Sequence, residues 1–291
     1  MKSRLRNLAP FLRLLAAIPL LLAFADVCVL GGERRIELAD GLNGAWRMPE
    51  ASWDGRTMLL LHGFADDMDG AGNLQKRLAE ALSSAGIASF RINFRGEGDR
   101  FRTNLLSTFH GRVADTTNVL EWVRSQAGVD VRRIGVMGWS LGGATAAGAA
   151  AVVPDRIRCM VLWSSAGGDL HEGFTRGDFA ATFEQAAREG QGRLEIPGWK
   201  TVTLRRGFFE SFRGRVVEED LRRYTGAFLS VRGTEDYLPA REAEFLKAVQ
   251  GQPREAVSIG GADHVFNVFQ PGSPIPDRVL TLTVDWLRRV L

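Results

Sequence analysis

The stretch Arg133-Ile134-Gly135-Val136-Met137-Gly138-Trp139-Ser140-Leu141-Gly142-Gly143 changes its period halfway along. Residues 133–137 form a short apolar run of strand length, and residues 141–152 form an Ala- and Gly-rich run long enough for three helical turns. Between them lies Gly138-Trp139-Ser140-Leu141-Gly142, a Gly-x-Ser-x-Gly pattern. Glycines on both sides of the serine admit a strained turn and a close approach of helix to strand, so the hydroxyl is presented at the edge of a sheet.

Outward from this turn the alternation continues in both directions. Residues 35–39 and 43–48, separated by Asp40-Gly41, predict a hairpin at a sheet edge. Strand-length apolar runs at 57–61, 89–94 and 159–163 alternate with helical patterns at 72–85, 115–125 and 141–152. After Ala166 the rhythm breaks for nearly sixty residues, with an amphipathic stretch at 178–188 and a hairpin through 194–196, Pro197-Gly198 and 201–204. It resumes with a strand at 227–231, a helix at 239–249, a strand at 256–259 and a closing helix at 277–290. Continuously apolar strands between helices predict an α/β fold, with a mostly parallel central sheet covered on both faces.

With 45% apolar and 24% charged residues, the 291-residue chain has enough core-forming residues for one large core and is not disordered in composition. Lys2, Arg4, Arg6 and Arg13 precede the apolar run 14–25, which ends in Ala23-Phe24-Ala25. Residues 1–25 therefore read as a signal peptide cleaved after Ala25, sending the protein to the periplasm or outside the cell, against an N-terminally anchored or cytoplasmic alternative. The formal charge of +3 comes from that segment, since residues 26–291 hold 33 Lys and Arg against 34 Asp and Glu. Without a basic stripe, nucleic acid is excluded as a partner; the expected partner is a small-molecule ester, and no membrane span is expected after processing. Two cysteines, Cys28 and Cys159, do not indicate a disulfide framework.

A serine hydroxyl is a weak nucleophile and needs a base within hydrogen-bond reach. Of four histidines, His264 lies in a Gly-rich loop after the last strand, where a base would reach the C-terminal edge of the sheet. His62 follows the strand at 57–61, and His110 and His171 read as loop residues. A carboxylate must orient the base, and Asp236, after the strand at 227–231, is the leading candidate ahead of Glu235 and Asp263. The backbone N–H groups of Leu141 and of Phe64, in His62-Gly63-Phe64, are the expected oxyanion donors.

Leu61-His62-Gly63-Phe64, Asn93-Phe94-Arg95-Gly96-Glu97-Gly98-Asp99, residues 138–143, Gly233-Thr234-Glu235-Asp236 and Gly261-Ala262-Asp263-His264 together resemble the α/β-hydrolase superfamily over nearly all of residues 34–291. Within it they are most similar to the branch of cinnamoyl (feruloyl) esterases, serine aminopeptidase-like hydrolases and monoacylglycerol lipases. The resemblance implies an α/β-hydrolase core over 26–168 and 226–291, with a small cap at 169–225 inserted after the sixth strand. It implies a serine esterase acting through an acyl-enzyme, with no cofactor and no metal, and a structural role for His62 beside the oxyanion site. A peptidase or lipid hydrolase of the same fold, or a non-catalytic binding protein, are the alternatives. Trp139 departs from the pattern, since this branch more often has His before the serine. Phe174, Phe179, Phe183, Trp199, Phe208, Phe209 and Phe212 make the insertion rich in aromatics, and at least one is expected to line the acyl pocket.

Overall fold

A computed structural model describes residues 31–38, 41–98 and 101–291. The expected leader, its cleavage point after Ala25, Cys28 and Asp40 of the first turn lie outside the described residues.

The chain opens with β1 (Glu33–Glu37) and β2 (Asn43–Arg47), then β3 (Thr57–Leu61), α1 (Leu74–Ser84), β4 (Ala88–Asn93) and the two-residue β5 (Asn104–Leu105). It continues through α2 (Phe109–Arg124), β6 (Ile134–Trp139), α3 (Leu141–Val152) and β7 (Cys159–Trp163). Next come α4 (Leu170–Thr175), α5 (Ala180–Glu189), β8 (Gln191–Ile196), β9 (Lys200–Arg205), α6 (Arg206–Glu210) and α7 (Val217–Leu221). The last elements are β10 (Ala227–Gly233), α8 (Glu242–Ala248), β11 (Arg254–Ile259) and α9 (Ile275–Val290).

Among the described residues, eight strands form one sheet in the order β1-β2-β4-β3-β6-β7-β10-β11. β2 runs antiparallel to β1 and β4, and the other pairings are parallel. The inner strands β3, β4, β6, β7 and β10 are buried along their whole length, as continuous apolar runs require when both faces are covered. Leu74, Leu78 and Leu82 of α1 join Val279, Leu280, Val284 and Leu287 of α9 in the core on one face. Val119, Leu120 and Val123 of α2, Ala144, Ala147 and Ala150 of α3 and Phe245 of α8 belong to the core on the other. Residues Leu141 to Ala150 of α3 are all buried, so its small side chains serve as packing surface around the whole helix.

The elements differ from the sequence reading in a few places, each with a local cause. α2 starts at Phe109 rather than 115, capped by Thr108, whose hydroxyl accepts from the Gly111 N–H at 3.0 Å. The apolar period hides this first turn because a charged residue, Arg112, takes a core position. His110 thereby lies on α2, and His171 lies on α4, capped by Asp169, so neither is in a loop. α8 starts at Glu242 rather than 239, since Arg241, with φ −131° and ψ 7°, lies outside the helical region. β5 went unread because two residues carry no period; it pairs in parallel with β9, which pairs with β8 in a second sheet. Through it the loop after β4 is bound to the segment between β7 and β10.

Candidate active site

Ser140 sits between β6 and α3 with φ 55° and ψ −120°, a conformation L-residues rarely adopt. Three glycines around it leave space that a side chain would fill. A Cβ on Gly138 would lie 2.2 Å from Gly142 O, one on Gly142 2.3 Å from Leu61 O, and one on Gly143 2.3 Å from Ser165 Oγ. The Ser140 N–H donates to Trp163 O at 2.9 Å, and Ser140 O accepts from the N–H groups of Gly143 (3.0 Å) and Ala166 (3.1 Å). The turn is thereby pinned to β7 as well as to its own helix.

Parallel strands deliver their C-terminal ends to one edge, and the loops after β10 and β11 meet Ser140 there. His264 Nε2 is 3.0 Å from Ser140 Oγ, and His264 Nδ1 is 2.8 Å from Asp236 Oδ1. With Nδ1–H donating to the carboxylate, Nε2 is left as an acceptor for the serine proton. The Asp236 side chain is 1% exposed. Burial pushes its carboxyl up, but the hydrogen bond and charge of His264 and the Leu238 N–H, which donates to Oδ1 at 2.9 Å, outweigh that and leave it below its ordinary value.

The other two carboxylates go elsewhere. Asp263 Oδ1 accepts from the Val265 and Asn267 N–H groups at 3.0 and 2.7 Å, tying up the loop that carries His264, and Glu235 is exposed. Trp139 also acts on this loop: its indole N–H donates to His264 O at 3.2 Å, and its ring packs against Trp163 and Phe266. The residue that departs from the family pattern thus helps here to hold His264.

Gly63 lies over the serine, where a Cβ would come within 3.3 Å of Ser140 Cβ. The loop that carries the Phe64 N–H therefore passes against the Ser140 side chain. The Leu141 N–H, from the first residue of α3, is one of the donors that a helix start leaves without an intrahelical acceptor. His62 is fully buried, with Nδ1 2.8 Å from Gly63 O. Burial, aided by nearby Arg112 against the pull of Glu97, lowers its pKa to about 4 and keeps the ring neutral at pH 7.

A pocket of about 310 Å³ opens in front of Ser140. Its walls include Phe64, Asp66, Trp199, Tyr237, Val265 and Phe269. Of the aromatics in the segment between β7 and β10, Trp199 lines this pocket. Phe174, Phe179 and Phe208 instead pack around Phe64 at centroid separations of 5.5 to 5.8 Å, and Phe212 stacks on Phe174 at 4.5 Å. Phe183 and Phe209 pack on each other at 5.5 Å. Sequence reading missed Tyr237, whose ring lies 4.4 Å from that of His264, and Asp66; adjacency to Asp236 and to the Phe64 loop was the available signal.

Comparison with known proteins agrees with this architecture. A family model described as alpha/beta hydrolase fold matches residues 56–230. An uncharacterized 31.7 kDa protein of the traX-finO intergenic region of Escherichia coli is 29% identical over 264 residues, covering 86% of each chain. An uncharacterized protein of Mycobacterium tuberculosis is 26% identical over 242 residues, covering 82% of this chain and 74% of its own. Est1E from Butyrivibrio proteoclasticus, solved with ferulic acid bound, superposes with a TM-score of 0.70 at 18% identity, over 88% of this chain and 98% of its own. The esterase domain of a Rhodothermus marinus protein does so with 0.63 at 19%, over 89% and 98%. Those two likenesses are of fold, and the family match spans more than half of the sequence. The chain belongs to the α/β-hydrolase fold family.

Proposed function

We propose that the protein is a serine esterase that cleaves carboxylic esters of apolar or aryl acyl groups through an acyl-enzyme. The observation that carries this reading is the unbroken hydrogen-bonded line from Asp236 through His264 to Ser140, at 2.8 and 3.0 Å, facing an apolar pocket. Ser140 Oγ attacks the ester carbonyl while His264 Nε2 takes its proton, and Asp236 stabilises the resulting imidazolium. The tetrahedral oxyanion is received by the N–H groups of Phe64 and Leu141. Collapse breaks the bond to the alcohol, which leaves with the proton from His264. Water then attacks the acyl-enzyme with His264 again as base, and Ser140 regains its proton as the acid departs.

Phe64, Trp199, Phe269 and Val265 favour an apolar or aryl acyl group, the class to which the ferulic acid bound by Est1E belongs. The segment 169–225 acts in this reading as a cap over the acyl site. The basic start and Ala-x-Ala end of residues 1–25 support export, which sequencing of the mature N-terminus tests.

A fluorophosphonate probe should label the wild type at Ser140 and leave Ser140→Ala unlabelled, since the probe requires an activated serine. In a panel of p-nitrophenyl esters of rising chain length, methyl ferulate and a peptide anilide, bulky esters should turn over fastest and the anilide least. A folded wild type that takes no label would overturn the proposal, and preference for the anilide would make the protein a peptidase.

A further inference from the structure

Behind the serine turn lies a buried ion pair that takes no part in the line from Asp236 to Ser140. The side chain of Arg112, on α2, is 0% exposed and that of Glu97 1%, and Arg112 Nη1 donates to Glu97 Oε1 at 2.6 Å. Such a pair is a weak source of stability, because desolvating two charges offsets most of their attraction. Where its other donors end is more informative. Arg112 Nη2 donates to His62 O at 2.5 Å, and Nε donates to Thr145 Oγ1 at 3.1 Å. Thr145 Oγ1 in turn donates to Leu141 O at 2.8 Å. The guanidinium lies over Phe94, its Cζ 3.8 Å from the ring centre, and the Phe94 and His62 rings meet edge-on with their centroids 4.9 Å apart.

Two arms of the fork therefore end on the two segments that carry the oxyanion donors. On the first, Arg112 holds the His62 carbonyl, and the His62 ring holds the Gly63 carbonyl at 2.8 Å. That carbonyl shares a rigid peptide plane with the Phe64 N–H, so fixing one aims the other. On the second, the Thr145 hydroxyl grips Leu141 in the first turn of α3. The segments also touch directly, for a Cβ on Gly142 would come within 2.3 Å of Leu61 O and 2.6 Å of His62 O. Arg112 closes the third side of this triangle.

We propose that Arg112 is a positioning residue whose Glu97-neutralised guanidinium braces the His62 carbonyl against Thr145, setting the separation of the Phe64 and Leu141 N–H groups. The inference rests on the reading of Ser140 as the nucleophile of an esterase. Donors to an oxyanion act only when pre-aimed, and misplacement by about 1 Å can cost on the order of a hundredfold in rate. The brace serves the transition state and leaves substrate binding alone.

The test compares Thr145→Val, Thr145→Ser and Arg112→Lys with the wild type. Thr145→Val keeps the shape and removes the hydroxyl; Thr145→Ser restores the hydroxyl; Arg112→Lys keeps a charge beside Glu97 and loses the fork. With p-nitrophenyl butyrate, Thr145→Val and Arg112→Lys should lower kcat about tenfold or more with KM within about twofold. They should weaken binding of an alkylboronic acid, which forms a tetrahedral adduct at the serine, by the same factor, and Thr145→Ser should recover most of the loss. If the folded Val variant keeps kcat, or if Ser is as poor as Val, the brace is refuted even should Arg112→Lys fail to fold. A wild type that takes no fluorophosphonate label overturns the esterase reading and the brace with it, whereas a labelled wild type with unaffected variants overturns the brace alone.

Discussion

Burial in the wall of the pocket pushes the Asp66 carboxyl up to about 7, opposed by the N–H groups of Asp67 and Ala71, which donate to it at 2.9 and 3.0 Å, and by the charge of Lys200. Its folded value lies above the unfolded 3.8, so the native state holds the extra proton between the two, and stability falls as pH rises from about 4 through 7. Asp66→Asn keeps an acceptor oxygen and removes the charge. Its expected effect is a gain on the order of 2 kcal/mol at pH 8 and almost none at pH 4, read from urea unfolding at the two pH values. A gain of equal size at both would show that ionisation of Asp66 is not what costs stability. The two loop aspartates separate in the same way. Asp236→Asn, which leaves the His264 tautomer undetermined, should cost about a thousandfold or more in kcat/KM. Asp263→Asn disturbs only the two N–H groups it caps and should cost far less activity than thermal stability, so the reverse order in a side-by-side assay would reassign the acid.

At the scale of elements, the serine turn depends on contact between α3 and β3 with no side chain between them. Gly142→Ala would press a methyl group into the Leu61 and His62 carbonyls, both backbone, and should destabilise the fold by about 3 kcal/mol while abolishing activity. Gly173, an exposed residue in α4, meets nothing within 4 Å of its missing Cβ. Gly173→Ala should therefore stabilise by about 0.5 kcal/mol or more through the entropy of the unfolded chain, and denaturant midpoints of the two variants check both signs. The β8–β9 hairpin is the element that reaches the pocket. At its turn, the Trp199 indole N–H donates to Ala65 O at 3.3 Å, and the ring packs 5.6 Å from Phe269. Trp199→Ala should lower kcat/KM for hexanoyl and aryl esters about tenfold and spare acetyl esters, which do not reach that wall; an equal loss on both would assign the hairpin a purely structural part.

For the molecule as a whole, the segment between β7 and β10 belongs to the core as much as to the pocket. Phe174, Phe208 and Phe212 share one apolar cluster with Leu105, Phe109 and the α3 alanines, and Ser211 Oγ accepts from the Phe109 N–H at 2.8 Å. Replacing residues 169–225 by a short linker should uncover an apolar face large enough to aggregate, visible as loss of the wild-type elution peak on size exclusion; a soluble variant eluting as the wild type does, with unchanged ester preference, would show the segment dispensable. Local pattern alone determined much of this protein. Alternating apolar runs and helical periods specify a parallel sheet, and Gly138-Trp139-Ser140-Leu141-Gly142 specifies a tight turn, because both depend on residues within a few positions of one another. Only the tertiary structure decided that Asp236, not Asp263, meets His264, that Tyr237 lies against that ring, and that Arg112 is buried against Glu97 and His62. Those pairings join residues 15 to 50 positions apart or turn on which way a loop side chain points. Sequence period carries no record of them, since a charged residue in the core is admitted by the partners that long-range packing supplies and not by its neighbours along the chain.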